Sequence, residues 1–253
     1  MSGHSKWAGI KHKKAIVDAK RGQIFTKVAR EISVSAREGG GPDPTGNFRL
    51  RLAIQKAREV NMPADNIERA IQRGVGGKDG TQLEDIRYEG YGPHGVAVIV
   101  DVLTDNRNRT VAALRNLFTR AGGSLGESNS VAWMFTQQGV IHVESGGRDP
   151  EELALELLDI VDVGDDGDIS PDGDGIVVTV APSHFEEARR VIEEAGHTVD
   201  AAEVTMNPSQ TVQLDSRQAP AVIRLLDALE EHDDVQQVYA NAEIPDDVLS
   251  SVG

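Results

Sequence analysis

Eight cations crowd the first thirty residues: Lys6, Lys11, Lys13, Lys14, Lys20, Arg21, Lys27 and Arg30, set against one acid, Asp18. Ammonium and guanidinium groups at this density neutralise phosphates, and a net charge of about +7 in so short a stretch calls for a polyanionic partner. His12 lies inside the Lys11–Lys14 cluster and His4 just before it. Neither has a metal-ligand spacing, but both can hydrogen-bond to phosphate as members of a basic arm. Trp7 adds an aromatic face on which an unpaired base could stack, whereas Phe25 reads as core.

A second cluster, Thr104-Asp105-Asn106-Arg107-Asn108-Arg109-Thr110, falls where a strand ends and a helix begins. Backbone N–H groups point outward at a helix N-terminus. Arg107 and Arg109 there could bind phosphate. The alternative is an N-cap plus a structural ion pair to a neighbouring domain.

The other motifs fail on chemistry. Gly74-Val75-Gly76-Gly77-Lys78 imitates a phosphate loop, but Gln72 stands where the first glycine belongs and Asp79 follows the lysine. Asp168-Ile-Ser-Pro-Asp172-Gly173 imitates a calcium loop, yet Thr179 occupies the position of the bidentate glutamate. His94, His142, His184, His197 and His232 are scattered, and no Ser/His/Asp set can be chosen without arbitrary picking. The chain has no cysteine, so disulfides and thiolate chemistry are excluded. The expectation is a protein without catalytic residues, bound metal or cofactor.

The remainder of the chain must carry the basic segment. Residues 1–80 hold 16 Lys and Arg against 8 Asp and Glu, while residues 81–253 hold 10 against 33, and the overall charge is −15. The acidic part confers solubility or docks a basic partner. The longest apolar run, Val96 to Val100, is far too short to span a membrane. No apolar segment follows the basic start, so no secretory signal is expected, and a cytoplasmic monomer is the reading.

Periodicity divides the chain. Ile24 to Arg37 is predicted as a helix with Ile24, Val28 and Ile32 on one face. Asp43-Pro44 is read as the cap and first residue of a second helix running to Glu59, with Leu50, Ala53, Ile54 and Ala57 inward. Pro63 starts a third, which Gly74 stops. Beyond residue 80 the period changes to two. A hairpin of Ile86–Tyr91 and Val96–Leu103 is expected, then a helix over Arg107–Ala121 and strands at Ser130–Phe135 and Val140–Glu144. Helices at 150–161, 183–195 and 217–232 then alternate with strands at 176–181, 199–206, 211–214 and 235–241. The fold class is therefore α+β multidomain. A basic three-helix domain (1–80) precedes two α/β, ferredoxin-like domains, one built from 81–135 plus 207–245. The other, 136–206, is inserted into it, and 246–253 form a tail.

The opening GHSKWAGIKHKKAIVDAKRGQIFTKVAREI, the stretch GGGPDPTGNFRLRLAIQKAREVNMPADNIERAIQRG and the stretch YEGYGPHGVAVIVDVLTDNRNRTVAALRNLF resemble signatures of the YebC family. GESNSVAWMF and DDVQQVY add to the likeness, which spans nearly the whole chain. The resemblance implies a helical amino-terminal domain and two α/β domains, the third inserted into the second, with no catalytic residue and no cofactor. Bacterial members are labelled probable transcriptional regulators. A mitochondrial relative is a translational activator, and bacterial members are linked to ribosomes stalled at proline-rich sequences. The partner it implies is nucleic acid, either DNA or ribosomal RNA on the ribosome. Lysine on phosphate looks alike in both cases.

Overall fold

The computed structural model of the protein describes residues 18–39, 41–75, 83–165, 167–173, 175–245 and 248, the side chains of 18–21 excepted. The chain is α+β and divides into two compact units, residues 1–133 with 210–253, and Met134–Ser209. Among the described residues no helix is long and apolar enough to cross a membrane.

The first unit begins with three helices: α1 (Asp18–Glu38), α2 (Phe48–Glu59) and α3 (Ala64–Val75). Their shared core is Val28, Ile32 and Ala36 of α1, Leu50, Ala53, Ile54 and Ala57 of α2, and Ala70 and Ile71 of α3. The stripes expected on α1 and α2 are the buried ones. No strand occurs among the described residues between 24 and 75.

The start of α2 differs from expectation. Asp43 does not cap it; its Oδ1 accepts the N–H of Thr45 at 2.9 Å and closes a local turn. The helix begins four residues later, where Asn47 Oδ1 accepts the N–H of Leu50 at 2.9 Å. Asn47 is fully buried, and its Nδ2 donates to the carbonyls of Ser35 (2.8 Å) and Gly41 (2.7 Å). One side chain therefore caps α2 and pins it to the end of α1, with its amide satisfied on both sides.

Gly74 does not stop α3 but lies inside it. A Cβ there would stand 2.3 Å from the carbonyl oxygen of Ser33 on α1. Ser33 Oγ donates to the Ala70 carbonyl at 2.8 Å across the same contact. The glycine is needed because two helix backbones approach closely.

The sheet of this unit has the order β3-β1-β2-β9, all antiparallel: β1 (Glu84–Tyr91), β2 (Ala97–Thr104), β3 (Ser124–Leu125) and β9 (Val235–Ala240). Alternation puts Val98, Val100 and Val102 of β2 on one face, with Val96 preceding them. Helices α4 (Arg107–Arg120) and α7 (Ala219–Glu230) cover that face with Leu114, Phe118, Val222, Leu226 and Leu229. A short parallel pair, β8 (Val212–Gln213) with β10 (Ala242–Glu243), closes the end. Val248, in the segment read as a tail, is buried against this core.

The expected strand at Ser130–Phe135 is absent. Residues 126–132 form a loop leading into a 3-10 turn at Ala132–Met134. It is held by Glu89 on β1, whose carboxylate accepts the N–H groups of Asn129 (2.7 Å), Val131 (2.8 Å) and Ala132 (2.7 Å). Burial alone would push the Glu89 carboxyl upward, but these three donors hold it below its ordinary value.

The inserted unit runs β4 (Phe135–Glu144), α5 (Pro150–Ile160), β5 (Asp168–Asp172), β6 (Gly175–Val180), α6 (Phe185–Glu194) and β7 (Val199–Pro208), with sheet order β5-β6-β4-β7. This is the ferredoxin-like plait. Ile141, Val143, Leu153, Leu157, Ile176, Phe185 and Ile192 are buried in it. The segment that imitates a calcium loop is β5 itself, paired with β6 from Asp168↔Thr179 to Asp172↔Gly175.

Gly74→Ala is the sharpest test of this packing. Alanine stabilises an open helix position by about 1 kcal/mol over glycine. Here overpacking against backbone, roughly 1–3 kcal/mol, opposes that gain. Urea denaturation is expected to show net destabilisation; a more stable variant would contradict the close approach of α1 and α3.

Candidate nucleic-acid interface

Of the residues singled out in the sequence, Lys6, Trp7, Lys11, His12, Lys13 and Lys14 lie outside the described residues. Lys20 and Arg21 sit in the first turn of α1, their side chains outside the description. Lys27 and Arg30 share one face of α1 with Gln23, and this face meets the C-terminal end of α7. Lys27 Nζ donates to the Glu230 carbonyl at 2.6 Å. That carbonyl belongs to the last turn of α7, where helix acceptors lack partners and the dipole is negative. Burial lowers the Lys27 ammonium to about 8, although Glu230 and Asp233 pull the other way. Arg30 Nη1 donates to the Asp233 carbonyl (2.9 Å) and Asp234 Oδ1 (3.3 Å), and Gln23 Nε2 to Asp233 Oδ1 (3.3 Å).

Asp234 is 3% exposed and takes donors from four places. Besides Arg30, its Oδ2 accepts from Arg109 Nη2 (2.9 Å), Thr110 Oγ1 (2.7 Å) and Thr104 Oγ1 (3.3 Å). Its own carbonyl accepts the N–H of Leu103 at 2.8 Å, extending the β2–β9 pairing. Burial acts to raise this carboxyl, but the hydrogen bonds from Arg109 and Thr110 outweigh it and hold it below the ordinary aspartate value.

The two readings of the arginine cluster therefore separate by residue. Asn106 caps α4, its Oδ1 accepting the N–H of Arg109 at 3.0 Å, and Arg109 bridges Asp105 and Asp234. Arg107, two residues earlier, is exposed and has no polar partner among the described residues. Lys27, Arg30 and Arg109 turn donors onto the protein's own acceptors.

Two further features were not singled out in the sequence. Trp133 is 72% exposed, its Nε1 donating to the Ser130 carbonyl at 3.2 Å. It stands at the end of the loop that Glu89 holds. On α2, Arg51 stacks over the Phe48 ring at 5.8 Å, and Lys56 pairs with Glu31 at 3.2 Å. Among the described residues no three His, Cys, Asp or Glu side chains gather to hold a metal ion.

Two measurements check this junction. Removing Asp234 takes the shared acceptor from Arg30, Arg109, Thr104 and Thr110, so Asp234→Ala is expected to cost roughly 2–3 kcal/mol in urea denaturation. Because its carboxyl is held low, its ionic contribution is present above the unfolded value near 3.8 and fades as pH falls through the folded value. The stability gap between the native protein and Asp234→Asn is therefore expected to shrink below about pH 4. Lys27 behaves oppositely. Its value is depressed, so between about 8 and 10.5 the unfolded chain binds the extra proton and stability rises with pH. Lys27→Met is expected to lose that rise; an unchanged slope would show that Lys27 is not desolvated.

Two family descriptions match the chain: a TACO1/YebC protein N-terminal domain over residues 5–77 and a TACO1/YebC second and third domain over 83–242. A probable transcriptional regulatory protein of Pelotomaculum thermopropionicum is 54% identical over 246 residues, covering 97% of this chain and all of the relative. One from Dictyoglomus thermophilum is 47% identical over 253 residues, covering both chains completely. A crystal structure of a conserved hypothetical protein from Aquifex aeolicus superposes with a TM-score of 0.82 at 47% identity, covering 95% of this chain and 98% of that one. With both family descriptions matched in order and relatives aligned over their full length, the chain belongs to the TACO1/YebC family.

Proposed function

We propose that the protein is a non-enzymatic, nucleic-acid-binding regulator of gene expression that engages its target through the amino-terminal basic segment. The carrying observation is charge segregation: a net of +8 in residues 1–80 beside −23 in residues 81–253. A polymer of phosphates is attracted by the first part and on balance repelled by the second, which favours binding through the first. The names of the relatives, probable transcriptional regulatory proteins, agree with a regulatory role.

The engagement of Lys27 and Arg30 within the protein sharpens the count of phosphate contacts. Lys6, Lys11, Lys13, Lys14, Lys20 and Arg21 remain, with Trp7 and His12 among them. A second reading, a ribosome-associated translation factor, draws on the same acidity. Ribosomal proteins are basic, so the acidic units could face them while the arm meets RNA.

Six phosphate contacts give a log–log salt slope near −5 on duplex DNA and near −4 on single strands. Affinity is expected to fall about a thousandfold between roughly 50 and 200 mM salt. Lys13→Ala with Lys14→Ala should flatten the duplex slope by about 2 on any sequence. Fluorescence anisotropy with duplex DNA and ribosomal RNA fragments measures both. Unchanged slope and affinity in the double variant would remove the arm from the interface. Sedimentation of the protein with ribosomes in a sucrose gradient, abolished by RNase, would decide for the translation factor.

A further inference from the structure

Helix α4 stands apart from everything around it. In residues 81–253, acids outnumber basic residues by more than three to one, yet Arg107–Arg120 contains four arginines and no acid. Its buried side is Thr110, Leu114 and Phe118. Its outer side presents Asn108, Ala112, Arg115, Asn116, Thr119 and Arg120, all exposed.

The state of its arginines is equally distinct. Residues 81–253 contain ten arginines. Arg87 pairs with Asp101, Arg148 with Glu156, Arg189 with Glu193, Arg190 with Glu187 and Glu194, and Arg109 with Asp105 and Asp234. Arg107, Arg115 and Arg120 have no carboxylate partner among the described residues. Half of the ten are thus matched to a carboxylate; Arg217 and Arg224 also lack one among the described residues, but no helix other than α4 carries three such arginines.

The position of α4 connects it to the arm. Arg30 of α1 and Arg109 of α4 grip the same Asp234 carboxylate, and Gln23 reaches the adjacent Asp233. The described part of α1 starts five residues before Gln23, about 7 Å along the helix axis. Gln23 and Arg30 thus tie α1 to the Asp233–Asp234 segment that also holds Arg109 of α4.

We infer that the solvent-exposed surface of α4 is a second contact for the nucleic acid held by the arm, with Arg107 at the helix start and Arg115 and Arg120 on the outer face meeting phosphates along about 20 Å of helix. The inference rests on the nucleic-acid-binding reading above and adds a defined partner surface to it. Asn108, Asn116 and Thr119 supply uncharged hydrogen-bonding groups on the same face, suited to sugar and base edges rather than to a protein carboxylate. Phosphate is the occupant that fits by charge. A basic partner would meet unpaired guanidinium groups here, and an apolar one would strand them.

The test is a salt titration on the full-length protein with two triple variants of equal charge change. In Arg107→Gln/Arg115→Gln/Arg120→Gln the duplex slope is expected to flatten by about 2 to 3 units, with little change in melting temperature, because these side chains have no carboxylate partner among the described residues. Arg148→Gln/Arg189→Gln/Arg190→Gln, on the inserted unit, is expected to keep the native slope. Equal weakening by both variants would mean that net charge alone is sensed, and would overturn the inference. So would an unchanged slope in the α4 variant, and if Lys13→Ala/Lys14→Ala still flattened it the arm reading would stand. Failure of the native protein to bind either DNA or RNA would bring down both.

Discussion

The buried carboxylate of Asp234 is the constraint on which the first unit turns. It lies where β9 begins, at the exit of α7. There it collects Arg30 from the helical segment, Arg109 and Thr110 from the first turn of α4, and Thr104 from the end of β2. A carboxylate removed from water costs several kcal/mol unless its lone pairs are filled. Here the four donors come from three elements, α1, β2 and α4, so filling them requires those elements to be in register. The same group that completes the electrostatics also completes the topology, since its backbone carbonyl continues the β2–β9 pairing. Lys27 and Gln23 extend the junction along α1, so the helical segment is joined to the α/β unit by a polar face and not by a shared apolar core.

What was legible in the sequence is what local periodicity controls. The stripes Val28–Ile32 and Leu50–Ala53–Ile54–Ala57, the β1–β2 hairpin and the presence of α4 after β2 all follow from spacing and side-chain chemistry. So does the insertion of one α/β unit into the other. The failures share a cause, which is contact with distant residues. Asn47 outcompetes Asp43 as a cap because Ser35 and Gly41 satisfy its amide. Ser130–Phe135 has the composition of a strand but is diverted by Glu89, some forty residues earlier. Strand β5 carries Pro171 between two aspartates and reads as a loop. As an edge strand paired only to β6, it tolerates a proline.

The interface was legible as charge and illegible as geometry. A count of Lys and Arg in the first thirty residues cannot distinguish a cation aimed at solvent from one aimed at an aspartate two hundred positions later. Arg30 is of the second kind, and Lys27 is turned onto the backbone carbonyl of Glu230. Conversely, Arg115 and Arg120 pass unnoticed in a strongly acidic stretch. Only the pairing pattern of the other arginines, with no second helix leaving three unmatched, makes these informative. Overall charge describes what a surface attracts from afar, whereas pairing describes what it can still bind on arrival.

The way the inserted unit is hung also governs how the chain is made. Its first and last strands, β4 and β7, pair from Phe135↔Pro208 onward, and Ser209 donates twice to the Met134 carbonyl, so the chain leaves and returns at one point. On a translating ribosome this unit is complete as soon as residue 209 has emerged. The sheet around it must wait, because β9, the neighbour of β2, begins only at Val235. At 5–20 residues per second, the gap between β2 and β9 lasts on the order of ten seconds. During that interval β2 exposes an unpaired edge of valines, the kind of surface that recruits other chains. Helix α4 follows β2 directly in the chain, so Leu114 and Phe118 are available to shelter the valine face first. Its position in the order of synthesis thus gives the nascent chain early cover while the strand edge still lacks its partner.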